Sequence, residues 1–193
     1  MKYAQSNIPA YRSVRTDTAK KEMTDLEFDQ IFETYYKRVY KYICYRINDQ
    51  YMAEDLCSQV FEKVIVKYNT YSPEKSPFEV WLIAIARNIV TDYHRSMKKG
   101  FHFSMDSLLD MVSFNSSPEE EIVSKEKNKD LFQALSHLRE KERNIIALKF
   151  GADLKNSEIA ELVGISSSNV GVVIYRSLKK LRERLNVRRN GHE

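Results

Sequence analysis

Residues 156–175 read NSEIAELVGISSSNVGVVIY, and this stretch decides the fold of the second half of the chain. Ile159 and Val163 are apolar one helical turn apart, Ala160 is small, Gly164 stands where a turn would fall, and Ile165 and Val170 resume the apolar spacing beyond it. Each choice has a steric reason. A small residue lets two helices cross closely, a glycine takes a turn conformation that a Cβ would penalise, and the apolar positions fill the wedge between the helices. Two such matches arise in any helical hairpin, but all six within one 20-residue frame, followed by a basic segment, predict a helix-turn-helix that enters a DNA groove. Its second helix is expected to start at Ser166, acting mainly as a cap. It would present Ser167, Ser168, Asn169, Val172, Tyr175 and Arg176 toward the major groove, with Arg176 and Lys179 placed for backbone phosphates. Val173 and Ile174 are adjacent, so one is expected to pack inward and the other to touch DNA or a thymine methyl.

Outward from this stretch the charge is uneven. Arg176 to Arg189 holds seven Lys or Arg and one acid, Glu183, whereas residues 101–128 hold six acids and two lysines. The net charge is only +4, so the basic end rather than the total is the footprint of a phosphate-binding surface. The 193 residues contain 5 Gly and 4 Pro against 12 Tyr and 9 Phe, with long stretches free of helix breakers, which predicts an all-α protein. No run of 18 apolar residues occurs, and Met1 to Asn7 is polar, so neither a signal peptide nor a membrane insertion is expected. Cys44 and Cys57 lack CxxC spacing and read as small core residues of a reducing cytoplasm, and the four histidines show no ligand spacing. No phosphate loop, metal cluster or nucleophile–base pair is apparent, so no cofactor and no catalytic activity are expected.

The first half reads as three helices. Residues 1–23 lack periodicity and read as a flexible extension. Thr24 and Glu27 then form a capping-box pattern ahead of Phe28, Ile31, Phe32, Tyr35, Tyr36, Val39, Tyr40, Ile43 and Ile47 at helical spacing. A second helix is expected from about Met52 to Tyr68, with Leu56, Val60, Phe61, Val64 and Ile65 on one face and Glu54, Asp55, Ser58, Gln59 and Glu62 on the other. Pro73 interrupts it. Ser76, Pro77 and Glu79 start a third helix carrying Phe78, Trp81, Leu82, Ile85, Ala86 and Ile89, with Trp81 read mainly as core, ending in Arg95, Lys98 and Lys99 before Gly100. The pattern dissolves over 101–117, read as a flexible linker. Ser117, Pro118 and Glu120 cap a helix over Ile122 to Leu138, and Arg139 to Phe150 makes another, closed by Gly151. The expected organisation is two small helical domains, 24–100 and 118–187, with a basic tail over 188–193. Seventeen linker residues at ~3.4 Å each reach roughly 55 Å, enough with the domains' own width to span about two DNA turns of ~34 Å.

The wording of the first half narrows the class. Ala53-Glu54-Asp55-Leu56 with Gln59, Val60 and Phe61, then Tyr71-Ser72-Pro73-Glu74-Lys75-Ser76-Pro77-Phe78 and Trp81-Leu82-Ile83-Ala84-Ile85-Ala86-Arg87-Asn88, resembles region 2 of extracytoplasmic-function sigma factors of the sigma-70 family. Leu135, Leu138, Glu142-Arg143 and the Ile159 to Leu181 stretch resemble region 4 of the same family. The resemblance implies a promoter-selecting factor with a division of labour. Glu54, Asp55, Gln59 and Glu62 would dock on the clamp helices of the largest subunit of core RNA polymerase, and region 4 would meet the flap. Tyr71, Ser72, Lys75, Ser76, Arg87, Asn88 and Arg95 would hold the melted minus-10 element, for which an aromatic face and an amide suit an unstacked base. The helix-turn-helix residues would read the minus-35 element. An anti-sigma factor is an implied partner, and the implied location is the cytoplasm, at the nucleoid when active or at the membrane when so held. Two residues depart from the family's habit: Tyr71 stands where phenylalanine is usual, and Val173 replaces a commonly basic residue. The rival reading is a helix-turn-helix regulator with a different interaction module at its N-terminus, which would bind DNA without polymerase.

Overall fold

The computed structural model describes residues 23–98 and 130–189, in which every regular element is helical. The N-terminal extension, the linker, the Ser117 cap and the end of the basic tail lie outside the described residues.

Helix α1 (Asp25–Arg46) begins with the expected reciprocal cap: the Thr24 hydroxyl accepts from the Glu27 N–H at 3.2 Å, and the Glu27 carboxylate accepts from the Thr24 N–H at 3.0 Å. Helix α2 (Gln50–Lys67) opens on Asp49, whose carboxylate accepts from the Met52 N–H at 3.0 Å. Ala53, Leu56, Cys57, Val60, Phe61 and Val64 of α2 are buried, but Ile65 is 49% exposed. About 100° per residue separates Ile65 from Val64 around the helix, so the two cannot share a face, and the apolar stripe is narrower than the sequence suggested. A single 3₁₀ turn (Tyr68–Thr70) and the Pro73 turn lead to helix α3 (Phe78–Lys98), which buries Val80, Leu82, Ile83, Ile85, Ala86 and Val90. Trp81 stays half-buried beside this core, its ring 5.3 Å from Tyr71 and 5.4 Å from Phe78.

In the second half, helical residues 130–136 (α4) place Ala134 and Leu135 in a small cluster with Leu138, Ile146 and Leu181. Helix α5 (Glu140–Ile146) then widens into one π turn (Ala147–Gly151) instead of continuing regularly to Phe150. Gly151 does not close it in a left-handed conformation; among the described glycines, Gly164 is the one with positive φ. What Gly151 supplies is space, because a Cβ there would lie 2.8 Å from the Cα of Tyr42 in α1. Helix α6 (Asn156–Val163) ends on Gly164 at φ +72°, ψ 38°, the left-handed turn for which a glycine is suited. Helix α7 (Ser167–Arg189) carries the residues expected to face the groove, and most of the basic run, on one 23-residue rod.

The halves are not spatially separate. One face of α1 packs on α2 and α3 and another on α5 and the π turn, so Tyr42, Ile43, Leu148, Leu154 and Ile159 belong to a single buried cluster. Near this contact His94 is held below its usual pKa of 6.5, first by burial and then by Arg46, against the opposing pull of Glu140 and with Arg143 and Lys98 adding to the lowering. A histidine that resists protonation when folded makes stability full above about pH 6.5 and lost as the pH falls through that value, since the unfolded chain then binds more protons. Thermal melts at pH 7.5 and 5.5 are expected to show this loss, and His94→Gln to reduce it.

Candidate nucleic-acid interface

The face of α2 opposite the core carries Glu54, Asp55, Gln59 and Glu62, all exposed. They are ordered among themselves by helical spacing: Gln50 donates to Glu54 at 3.1 Å and Gln59 to Asp55 at 2.8 Å, each pair four residues apart. The result is an acid and amide array, two of its acids bonded along the helix, on a helix whose other side is anchored in the core.

Across from it, α3 offers Arg87, Asn88, Thr91 and Arg95. Gln59 and Glu62 of α2 line one groove together with Arg87, Asn88 and Arg95 of α3, so residues expected to serve different partners lie edge to edge. Lys63 and Lys67 also line this groove. Neither is among the residues the resemblance names, although their spacing of four from Gln59 and from each other puts them on one continuous stripe. Asn88 is exposed, and Arg95 pairs with Asp92 at 3.2 Å in an ion pair exposed on both sides, which costs little to exchange for a phosphate.

The loop before α3 is built on rings. Tyr71 meets Phe78 edge-on at 5.1 Å, Phe78 meets Tyr35 at 5.3 Å, and Trp81 closes the group. Tyr71 and Ser72 are half-buried, Ser76 likewise, and Lys75 is exposed beside them. Tyr71 is thus anchored by its ring contacts rather than hanging from a loose loop, which lowers the entropy cost of stacking a ligand ring on this group.

On α7, Ser167, Ser168, Asn169, Val172, Tyr175, Arg176 and Lys179 are all exposed, Tyr175 by 72%. The Ser166 hydroxyl accepts from the Asn169 N–H at 3.2 Å, confirming its capping role. Val173 and Ile174 are both half-buried, Val173 against the main cluster and Ile174 between the two clusters, and Val172 is the exposed valine. Two neighbouring residues can both pack because α7 lies across two separate groups of helices. Burial drives the Cys44 thiol up to about 11 and the Cys57 thiol up to about 12, which keeps both protonated and unreactive. Among the described residues, no group of His, Cys, Asp and Glu is arranged to hold a metal, and no helix is long and apolar enough to cross a membrane.

Residues 31–100 match Sigma-70 region 2, and residues 129–181 match Sigma-70 region 4. The chain belongs to the sigma-70 family. The two matches cover well over half of it, in the order and with the spacing of the two helical halves. Over 160 residues it is 29% identical to the RNA polymerase sigma factor SigZ of Bacillus subtilis, covering 83% of this chain and 88% of SigZ. It is 28% identical to the ECF RNA polymerase sigma factor BldN of Streptomyces coelicolor over 80% of this chain, which spans 58% of BldN. The fold also superposes on the sigma factor RpoE of Bartonella quintana, solved in complex with the anti-sigma factor NepR, with a TM-score of 0.66 at 19% identity over 83% of this chain and 98% of RpoE. This sigma factor is therefore one of the extracytoplasmic-function group, and its function is to direct RNA polymerase to specific promoters for transcription initiation. The rival reading as an unrelated helix-turn-helix regulator is not favoured.

Proposed function

We propose that the α2 face and the α2–α3 groove form one continuous docking site at which core polymerase and the minus-10 strand meet. The observation that carries this reading is the shared groove, where Gln59 and Glu62 border Arg87, Asn88 and Arg95. Glu54, Asp55, Gln59 and Glu62 bind the clamp helices of the largest subunit, a basic partner surface being the natural complement of the array. Tyr71, Ser72, Lys75 and Ser76 receive unstacked minus-10 bases on the ring group, with Asn88 supplying an amide and Arg87 and Arg95 following the phosphates. Lys63 and Lys67 extend that phosphate track along the opposite wall. Region 4 uses Ser167, Ser168, Asn169, Val172 and Tyr175 for the minus-35 major groove and Arg176 and Lys179 for its backbone, while its remaining surface meets the polymerase flap.

RpoE is captured with an anti-sigma factor. By extension we assign this chain a partner of the same kind, which masks its exposed faces and holds it away from the nucleoid in the cytoplasm or at the membrane. Mixing the full chain with purified core enzyme tests the reading: co-elution as a stoichiometric complex is expected, and separate elution at micromolar concentrations contradicts it. Arg176→Ala is expected to weaken minus-35 binding and lower the salt slope by about one unit, the value for one lost phosphate contact. Altered base preference with an unchanged slope would make Arg176 a base reader.

A further inference from the structure

Helix α7 divides its chemistry along its length. From Ser167 to Tyr175 it carries no Lys, Arg, Asp or Glu, whereas Arg176, Lys179, Lys180, Arg182 and Arg184 follow in quick succession, relieved only by Glu183. The nearest cation ahead of the neutral stretch is Lys155, at the start of α6. Of the basic run, Lys180 is already held by Glu142 at 2.6 Å, while Arg176 and Lys179 are exposed. A helix that held DNA by charge alone would carry cations along its whole outer face, since phosphate neutralisation supplies that binding. Here the shaft of α7 suits phosphates, and its neutral first half is left for bases.

Two side chains of that neutral half stand out by what they offer. Asn169 and Val172 are both exposed and three residues apart, so they share one face of α7 within a single turn. Their separation along the axis is ~4.5 Å, close to the ~3.4 Å rise between successive bases. The backbone N–H of Asn169 is taken by the Ser166 hydroxyl at 3.2 Å, and no described residue bonds its side-chain amide. Val172 is 43% exposed and ends in two methyl groups, while Val170 beside it is buried and Val173 half-buried. A branched apolar side chain turned to water adds nothing to phosphate binding, and the core of region 4 does not use it.

The donor set decides between the bases. In a major groove guanine is read chiefly by Arg or Lys on O6 and N7, and cytosine by a carboxylate that accepts from its amino group. Neither residue type occurs between Ser167 and Tyr175. Adenine is read by a side-chain amide on N6 and N7, and thymine is set apart by its C5 methyl group, which an apolar side chain contacts. Both of these readers are present, one turn apart, and Ser167 and Ser168 are compatible with either base pair. We propose that the minus-35 bases facing the first turns of α7 form A·T pairs, with Asn169 on an adenine and Val172 on a thymine methyl group. This rests on the minus-35 role proposed above for region 4 and adds which bases that role selects. Because neither side chain is charged, their share of the binding does not depend on salt, in contrast to that of Arg176.

The test uses holoenzyme assembled from the full chain and core polymerase, which selects duplexes from a library randomised over both promoter elements. Each thymidine of the selected minus-35 element is then replaced singly by deoxyuridine, a change that deletes only the C5 methyl group. One such replacement is expected to weaken wild-type binding by about fourfold, the value of one buried methyl group, and to leave the salt slope unchanged. Val172→Ala is expected to weaken the unmodified duplex by a similar factor and to lose the response to deoxyuridine, whereas Val172→Ile, which keeps the apolar contact, retains it. Asn169→Ala is expected to relax the choice of adenine at a neighbouring position. Val172 is exposed in a helix that alanine favours, so an unchanged circular dichroism melt is expected to separate lost contact from lost fold. Indifference of the wild type to every deoxyuridine, an undiminished response in Val172→Ala, or relaxed choice at a G·C pair in either alanine variant each overturns the assignment while leaving region 4 a minus-35 binder. A holoenzyme that selects no minus-35 sequence at all removes that role, and the base assignment with it.

Discussion

Replacing Tyr71 and Asn88 together by alanine is expected to leave closed promoter complexes nearly intact and to reduce open complexes between about fivefold and a hundredfold, the range for losing one base–aromatic stack of ~1 to 3 kcal/mol. The selectivity comes from timing, since neither group meets a base until the base has left the duplex. The Tyr71 ring lies against Phe78 at 5.1 Å and Trp81 at 5.3 Å, so Tyr71→Ala also loosens the ring group. Tyr71→Phe is the control that keeps the ring. With Asn88 intact it should retain most of the opening activity. A template already melted over the minus-10 element should restore part of the loss, by removing the unstacking cost but not the missing stack. Permanganate reactivity of thymines on duplex and premelted templates reports both outcomes. Wild-type opening by the double variant would refute base capture by this loop.

Asp55→Ala with Gln59→Ala is expected to weaken core-polymerase binding by at least about tenfold while leaving the melting transition unchanged. Both side chains are exposed, and their mutual bond at 2.8 Å is local to α2, so the fold loses almost nothing. The complex loses more, because removing a hydrogen-bonded group from a docked surface leaves its partner unsatisfied, and each tenfold corresponds to about 1.4 kcal/mol. Equilibrium titration of labelled core enzyme checks the affinity and a denaturant melt checks the fold. Retained affinity would remove α2 from the docking assignment.

How much of this was legible in the sequence depended on the range of the interaction involved. The Thr24–Glu27 cap, the Ser166 cap and the Gly164 turn were readable because each is decided within four residues, by a hydroxyl, a carboxylate or the lack of a Cβ. The polar array on α2 was readable for the same reason, as helical spacing alone puts Asp55 and Gln59 on one face. Gly151 was misread as a helix stop because its reason lies more than one hundred residues away in Tyr42, and no local pattern shows a close approach. Arg46, Arg143 and Asn144 escaped for a related reason. Long polar side chains read as solvated until a second surface is known to cover them, and here Arg46 is 3% exposed. Ile65 and the pair Val173 and Ile174 were placed by assuming one partner per helix, whereas α2 buries a narrower stripe and α7 touches two clusters.

Run-off transcription is the most direct measure of the central claim, using core enzyme, the full chain and duplex templates that carry candidate promoters in competition. Transcripts of defined length are expected only when chain and core enzyme are both present, and are expected to be lost when either the minus-35 or the minus-10 element is scrambled. A chain that binds the same DNA by itself, yet neither associates with core enzyme nor yields any defined transcript, would contradict that claim.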